Sequence, residues 1–224
     1  FQEPMTALNP VMTIGDQIGE VFDSHLAIAP AEKRARTLAA LADVGLPDPA
    51  MLIDSYPFRL SGGQRQRVII AAAMVLEPAV LIADEPTTAL DVTTQAQILA
   101  LIADLQRRRG TSVLFITHDF GVVSEIADSV VVMQHGKIVE SGDVREVLQR
   151  PRHPYTRRLI DAIPHGQPRA GSAVDQPAVL EVRQLEKTYV SGAGLWRRGR
   201  EVKAADAVNL ELKRGQTLGL VGES

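Results

Sequence analysis

The chain has 224 residues and a mass of 24.3 kDa, which is long enough for one full domain or for parts of two. Hydrophobic residues make up 45% and charged residues 23%, a balance that excludes a disordered tail and a collagen-like fibre. The formal net charge of −3 gives no reason to expect nucleic acid as a partner, and the absence of cysteine excludes disulfides, thiolate zinc sites and a cysteine nucleophile.

The first 76 residues have mostly helical patterns. Ile18, Val21 and Phe22 follow the i, i+3, i+4 spacing of an amphipathic helix, and Pro30 suits the first turn of the next helix. We therefore predict, in chain order, helices over residues 16–25 and 30–44, a short helix after a turn at 46–49, and a helix from residue 61 to about residue 76.

From residue 79 onward, segments with strand patterns alternate with segments with helical patterns. Residues 79–83 form an apolar run of strand length, and Gly110 is expected to end the long helix that follows. The predicted strands are 79–83, 112–117, 129–134 and 137–140, and the predicted helices are 91–109 and 120–127. This alternation favours a parallel sheet that is covered on both faces.

The last third of the chain begins with a proline-rich stretch, in which 151–177 holds five of the 13 prolines. We predict a short helix at 155–163 and a linker at 165–176. The later segments that alternate apolar and polar residues predict antiparallel strands at 180–185, 201–203 and 208–213, and an apolar strand at 218–221. No apolar run approaches the ~20 residues of a membrane-spanning helix, so we expect a soluble chain.

Two adjacent carboxylates, Asp84 and Glu85, directly follow the apolar strand 79–83. Open α/β folds bind ligands at the carboxyl edge of the sheet. There, one carboxylate can hold a hydrated Mg²⁺ and the other can accept a proton from an attacking water. On its own, the pair equally suits a turn that ends at Pro86.

A second chemical motif is the string Leu60-Ser-Gly-Gly-Gln-Arg-Gln-Arg67. Ser61 can cap the helix that follows, and the free N–H groups at the start of a helix suit a phosphate. The two glycines allow a ligand to approach the backbone closely. Helices that start with Ser-Gly are common, but the full eight-residue string is not.

Residues 60–64 resemble the signature sequence of ATP-binding cassette (ABC) ATPases, and the other motifs of that family follow in the family's order. Asp84 and Glu85 resemble the Walker B aspartate and the catalytic glutamate. Residues 89–91 resemble the D-loop, and His118 resembles the switch histidine that contacts the γ-phosphate. For a lone histidine a capped or core position is the better interpretation, but four further motifs in order reverse that preference.

This resemblance implies ATP and Mg²⁺ as cofactors. Gln2 resembles the Q-loop glutamine, which reaches the Mg²⁺ and the γ-phosphate, although alone it would be an ordinary loop residue. The resemblance implies that Glu85 and His118 are catalytic and that Asp84 and Gln2 lie at the metal. It implies nucleotide contacts for Gln2, Ser61, Gly62, Gly63, Gln64 and Asp91.

The end of the chain resembles the front of another ABC domain. Tyr189 resembles the aromatic residue that stacks on adenine, although a surface aromatic on a strand is an alternative. Residues 219–224 resemble the beginning of a Walker A loop, which implies nucleotide contacts by Gly222, Glu223 and Ser224. The rest of that motif does not occur, so we expect that the 224-residue chain on its own neither binds ATP tightly nor hydrolyses it.

These resemblances predict the fold class and the order of domains. The fold class is α/β, with a P-loop NTPase-like parallel sheet core, an α-helical signature subdomain, and the N-terminal antiparallel β part of a second cassette. The first predicted domain is the C-terminal two-thirds of a first cassette at 1–150, with a helical part at about 5–75 and a RecA-like part at about 76–150. An extension and proline-rich linker follow at 151–177, and the N-terminal β part of a second cassette at 178–224.

Residues 2–15 and 152–160 are similar to ATPase subunits of the oligopeptide, dipeptide and nickel importer branch. The similarity implies a bacterial-type, peripheral subunit at the cytoplasmic face of the inner membrane, which powers uptake of peptides or similar small solutes. It implies three partners, namely transmembrane permease subunits that dock near residues 5–10, a second ABC cassette in the same chain or a homologous subunit, and, indirectly, a solute-binding protein.

Two other interpretations remain open. Tandem ABC proteins that act on ribosomes or nucleic acid typically have a long, charged, helical linker, whereas the predicted linker here is short and proline-rich. A non-catalytic truncated module is compatible with the incomplete Walker A motif.

Overall fold

The computed structural model describes residues 7–88, 90–163, 176–191 and 200–220. The described residues belong to two compact units, one within residues 7–163 and the other within residues 176–220. None of the helices in these ranges combines the length and the apolar character needed to cross a bilayer.

The first unit begins with a helical region, as the sequence predicts. Thr13 caps the first helix by accepting a hydrogen bond from the N–H of Asp16, and Pro30 occupies the first turn of the second helix. The helices are α1 (Ile14–His25), α2 (Pro30–Asp43), α3 (Pro49–Leu52) and α4 (Gly62–Met74), with a single 3₁₀ turn at Pro57–Arg59 before α4.

These helices share one hydrophobic core. Ile18 and Phe22 of α1 are fully buried, and they pack in the same cluster as Leu41 of α2 and Val68 of α4. Full burial of such side chains stabilises a fold by about 1.5–3 kcal/mol each. The same cluster includes Ile98 of the long helix that follows the first strand, so the core extends from the helical region toward the sheet.

The middle of the chain forms the alternating pattern that the sequence predicts. Its elements are β1 (Val80–Asp84), α5 (Val92–Arg109), β2 (Ser112–Ile116), α6 (Phe120–Ile126), β3 (Ser129–Gln134), β4 (Lys137–Asp143) and α7 (Val144–Gln149). Strands β1 and β2 are parallel, with Val80 opposite Ser112 and Asp84 opposite Ile116. Gly110 ends α5 with φ 66, a left-handed conformation that glycine adopts without strain.

The expectation of a sheet covered on both faces is wrong for β1 and β2 in the described residues. Leu81 and Ala83 are buried against the core, but four apolar side chains elsewhere in the pair are 45–60% exposed. These exposed side chains are Val80, Ile82, Leu114 and Ile116. Helices cover the core side of the pair, and no described residue covers these four side chains to the extent that a parallel sheet normally requires.

Strands β3 and β4 form an antiparallel hairpin rather than a continuation of the parallel pair. The turn uses His135 and Gly136 with φ 51 and 74, which matches the right-handed twist of a tight hairpin. Helix α7, which the sequence analysis did not predict, begins directly after β4, where Asp143 accepts hydrogen bonds from two N–H groups of its first turn.

The extension after α7 forms helix α8 (Pro154–Asp161), close to the predicted helix at 155–163. The carboxylate of Glu140 on β4 accepts hydrogen bonds from the backbone N–H groups of Arg152, at 2.7 Å, and His153, at 3.1 Å. These bonds attach the start of the extension to the hairpin.

The second unit contains two long antiparallel strands, β5 (Ala178–Ser191) and β6 (Arg200–Lys213). The three short strands predicted at 180–185, 201–203 and 208–213 therefore lie within two continuous ones. The strand predicted at 218–221 is not formed at 218–220, where Leu220 is 79% exposed. An apolar strand needs a neighbour for its backbone hydrogen bonds, and the described residues supply none there.

Candidate functional site

Strand β1 places Asp84 and Glu85 at the carboxyl end of the parallel pair. The N–H of Glu85 donates to the carbonyl of Ile116 at 2.9 Å, so pairing with β2 continues one residue beyond β1. Glu85 then adopts φ 49, a left-handed conformation that costs a non-glycine residue roughly 1–3 kcal/mol. The chain therefore turns at the residue that the sequence analysis expects to be catalytic.

The carboxylate of Glu85 is held by two side chains. Nδ1 of His118 lies 2.7 Å from one carboxylate oxygen, and the hydroxyl of Thr88 donates to the other oxygen at 2.6 Å. The Thr88 hydrogen bond is the main cause that lowers the pKa of Glu85, and His118 lowers it further, while partial burial opposes both. The sequence analysis expected Glu85 and His118 in one site, and the structure brings these side chains together.

The hydrogen bond with Glu85 also raises the pKa of His118 above its ordinary value. The side chain of His118 is 82% exposed, whereas that of Glu85 is only 21% exposed. The histidine therefore lies between the carboxylate and solvent, where a ligand could contact it.

Asp84 differs from Glu85 because its half-buried carboxylate accepts no hydrogen bond from any described residue. A half-buried carboxylate without a donor is suited to a cation, and Mg²⁺ prefers oxygen ligands and keeps several waters. Within the described ranges no three acidic or histidine side chains cluster as a complete metal cage. Asp84 thus fits a hydrated Mg²⁺ that has few protein ligands.

Asp91 caps helix α5 from the expected D-loop. Its carboxylate accepts the N–H of Thr94 at 2.9 Å and the hydroxyl of Thr94 at 2.7 Å. The backbone hydrogen bond from Thr94 is the largest cause that lowers the pKa of Asp91. In this structure the carboxylate of Asp91 is thus used to fix the start of α5.

The signature residues form the start of helix α4. Ser61 and Gln64 make a reciprocal capping box: the hydroxyl of Ser61 accepts the N–H of Gln64, and the amide oxygen of Gln64 accepts the N–H of Ser61. The N–H groups of Gly62 and Gly63 are first in the helix and have no carbonyl one turn earlier within it. A phosphate at this end would therefore meet Gly62 and Gly63 first.

The signature residues also lie against the expected D-loop. A methyl group placed on Gly62 would lie 3.7 Å from Cδ2 of Leu90, an ordinary van der Waals distance. The sequence gives no indication of this contact, because Gly62 and Leu90 are 28 residues apart and each belongs to a segment that resembles a separate family motif.

The remaining expected site residues lie elsewhere. Tyr189 is on β5 of the second unit, 59% exposed, with the Lys187 ammonium 5.3 Å from its ring centre. Its role as an adenine platform stays a prediction. Four other expected site residues, Gln2, Gly222, Glu223 and Ser224, lie outside the described residues.

Sequence analysis missed Thr88 as a partner of Glu85. The sequence shows only that a hydroxyl residue follows the carboxylate by three positions. This spacing indicates a hydrogen bond only when Glu85 is known to begin a turn. The sequence likewise does not indicate the partners of Arg109 at the end of α5, which forms ion pairs with Asp43 and Glu77.

Comparison with known families matches two separate parts of this chain. Residues 1–88 match the ABC transporter family, and residues 139–188 match the C-terminal region of oligopeptide/dipeptide transporters. The first match assigns residues 1–88 to the ABC transporter family. The second match assigns residues 139–188 to the oligopeptide-type branch that the sequence resembles.

Individual relatives support the same assignment. The chain is 52% identical to the "Peptidoglycan transport ATP-binding protein YejF" of Agrobacterium fabrum, across the whole of this chain and 41% of the relative. It is 45% identical to the "Glutathione import ATP-binding protein GsiA" of Escherichia coli K12, across the whole of this chain and 40% of that relative. The chain thus spans about two fifths of the length of these relatives.

Solved structures confirm the α/β cassette fold. The ATP-binding cassette MJ0796, in a dimeric post-hydrolysis state bound to ADP and Pi, matches with a TM-score of 0.55 and 31% identity, over 65% of this chain and 61% of that chain. The cbiO1 structure from Clostridium perfringens, part of the ABC transporter complex cbiONQ, matches with a TM-score of 0.59 and 32% identity, over 67% of this chain and 58% of that chain.

Proposed function

We propose that this chain is part of an ATP-binding and ATP-hydrolysing subunit that powers solute uptake by an ABC importer. The observation that carries the proposal is the arrangement of Glu85 at the carboxyl edge of β1, with His118 at 2.7 Å and Thr88 at 2.6 Å from its carboxylate oxygens. The family match and the names of the relatives support the same function.

In this proposal Glu85 acts on the water that attacks the γ-phosphate. The carboxylate would orient this water and accept its proton. The pKa of Glu85 is lowered from its ordinary value, so the carboxylate is ionised at neutral pH before the water binds. Thr88 fixes one carboxylate oxygen of Glu85 by its hydrogen bond. The other oxygen, which lies beside His118, would face the ligand. His118 contacts the transferred phosphate from the exposed side of the site.

Asp84 and Gln2 would hold the Mg²⁺, together with phosphate oxygens of ATP and water. A bound Mg²⁺ neutralises charge on the phosphate oxygens during transfer. Asp84 has a half-buried carboxylate that accepts no hydrogen bond from a described residue, which suits a ligand of Mg²⁺.

The signature residues 61–64 would act on a different nucleotide, the one held by a facing cassette. The N–H groups of Gly62 and Gly63 at the start of α4 are suited to its γ-phosphate. Residues 178–224, which resemble the front of a second cassette, make a partner within the same protein the simplest source of that nucleotide. Tyr189 would stack on its adenine.

The proposed membrane partners are permease subunits that dock on the helical region beside residues 5–10. Exposed apolar side chains in the helical region support the assignment. Val11 is 79% exposed, and Phe58, whose ring stacks on Tyr56, is 67% exposed. The backbone of residues 14–15 bonds to that of residues 53–55, which keeps the two segments together. This docking would hold the subunit at the cytoplasmic face of the membrane.

The proposed solutes are peptides and similar small molecules. The match to the oligopeptide/dipeptide transporter region supports peptides, and the relatives are named for import of glutathione and transport of peptidoglycan. All three names describe peptide-containing solutes.

The proposed function is tested by ATP-driven uptake in vesicles that contain the complete protein and its permease subunits. Replacing His118 by Ala should lower both ATP hydrolysis and uptake by at least about tenfold, because a contact to the reacting phosphate is lost. ATP binding should persist. His25→Ala removes an exposed histidine at the end of α1 and serves as the matched control.

A complete protein that hydrolyses no ATP with its permease subunits present would contradict the proposed function. Equal activity of the His118→Ala and His25→Ala variants would contradict the role of His118.

A further inference from the structure

Gly63, the second glycine of the signature, lies against the first turn of helix α5. A methyl group placed on Gly63 would come within 2.6 Å of Cγ2 of Thr94, which is closer than real carbon atoms approach without displacement. The next nearest atoms of Thr94, Cβ and Oγ1, would both lie 3.9 Å away. The obstacle to a side chain at Gly63 is therefore one methyl group of Thr94.

Thr94 cannot easily move this methyl group away. Its hydroxyl donates to one carboxylate oxygen of Asp91 at 2.7 Å, and its N–H donates to the other at 2.9 Å. Threonine is β-branched and has few side-chain rotamers in a helix. A rotation that removed Cγ2 from Gly63 would break the hydroxyl bond to Asp91.

We propose that Thr94 is a positioning residue that fixes the signature loop against the D-loop, and that Gly63 is glycine because Thr94 occupies the space of any side chain there. Alanine is the better helix former, so local preference alone would not favour glycine at this position inside α4. Contact with Thr94 provides a reason that does not depend on a ligand.

This contact links two parts of the proposed enzyme. Gly63 belongs to the loop that would bind the nucleotide of the facing cassette, and Asp91 follows the strand and turn that carry Glu85. Through Thr94, a displacement of the D-loop is transmitted to the signature loop by direct contact. The consequence for nucleotide turnover rests on the proposed function, whereas the packing contact itself does not.

The test compares four variants of the complete protein: Gly63→Ala, Thr94→Ser, Gly63→Ala with Thr94→Ser, and Gly63→Ala with Thr94→Val. Serine removes Cγ2 and keeps the hydroxyl bond to Asp91. Valine keeps a methyl group at the Cγ2 position and is the matched control. Melting temperature, the affinity for ATP and the ATP turnover rate are measured for each.

Gly63→Ala should lower both the melting temperature and the turnover rate, the latter by about tenfold, because overpacking displaces the loop. Adding Thr94→Ser should restore the turnover rate to within about threefold of that of the Thr94→Ser single variant. Adding Thr94→Val should restore neither quantity. The affinity for ATP should change little, since each cassette holds its own nucleotide mainly through its Walker A loop.

Two results would overturn the inference. One is a Gly63→Ala, Thr94→Ser protein that regains its melting temperature but not its turnover rate, because Gly63 would then be needed for the ligand rather than for packing. The other is equal rescue by serine and valine. If the unmodified protein hydrolyses no ATP, the proposed function fails, and the melting temperatures of the serine and valine double variants still test the packing contact between Gly63 and Thr94.

Discussion

At the scale of single residues, the site depends on hydroxyl groups that hold carboxylates in place. The hydroxyl of Thr88 donates a hydrogen bond to the carboxylate of Glu85, and the hydroxyl of Thr94 donates one to the carboxylate of Asp91. In each case the threonine lies three residues after the carboxylate, and its bond fixes one rotamer of an acidic side chain. The local backbone therefore orients the acids before any ligand arrives, which reduces the ordering that binding would require.

Asp91 provides a pH-dependent prediction at this scale. Its pKa is lowered in the folded state, mainly by the N–H of Thr94, so the carboxylate stabilises the fold above the unfolded pKa of about 4. That contribution is lost as the pH falls through the folded pKa. Asparagine still caps a helix but has no charge.

We expect the Asp91→Asn variant to be less stable than the unmodified protein at pH 7, with the difference decreasing toward pH 3. Urea unfolding at a series of pH values measures this difference, because all other titrating groups are common to both proteins. A difference that stays constant over the whole pH range would show that the charge of Asp91 contributes nothing.

At the scale of secondary structure, the end of α5 joins three elements. The Arg109 guanidinium pairs with Asp43 at the end of α2 and with Glu77 in the turn after α4. Arg107, two residues earlier, is 71% exposed and lies 3.5 Å from Asp104 of its own helix. The two arginines therefore differ in whether they connect separate elements.

We expect Arg109→Ala to lower the free energy of unfolding by about 1 kcal/mol, the upper end for an exposed ion pair, because two partners are lost. Arg107→Ala, the matched control, should have an effect near zero. Urea unfolding at low and high salt measures both variants, and salt should reduce the effect of Arg109→Ala. Equal effects of the two substitutions would contradict the connecting role of Arg109.

At the scale of the whole molecule, element boundaries were the part that sequence could predict best. Pro30, Ser61 and Gly110 mark helix ends through local backbone chemistry, and the structure places helix ends within two residues of each. The neighbouring carboxylates Asp84 and Glu85 could likewise be assigned to the end of a strand from the sequence.

Contacts between distant segments could not be predicted in this way. The uncovered face of β1 and β2, the packing of Gly63 on Thr94 and the ion pairs of Arg109 all depend on tertiary structure. The apolar segment 218–220 failed as a strand prediction for a related reason, since strand formation requires a partner that periodicity does not specify.

The proposed activation of the hydrolytic water by Glu85 is tested by the Glu85→Gln substitution in the complete protein. ATP binding should persist while the turnover rate falls by at least about 100-fold, because glutamine keeps the shape but cannot accept the proton. Glu125→Gln, at an exposed position on α6, is the matched control. Turnover by Glu85→Gln at the rate of the Glu125→Gln control would contradict this role of Glu85.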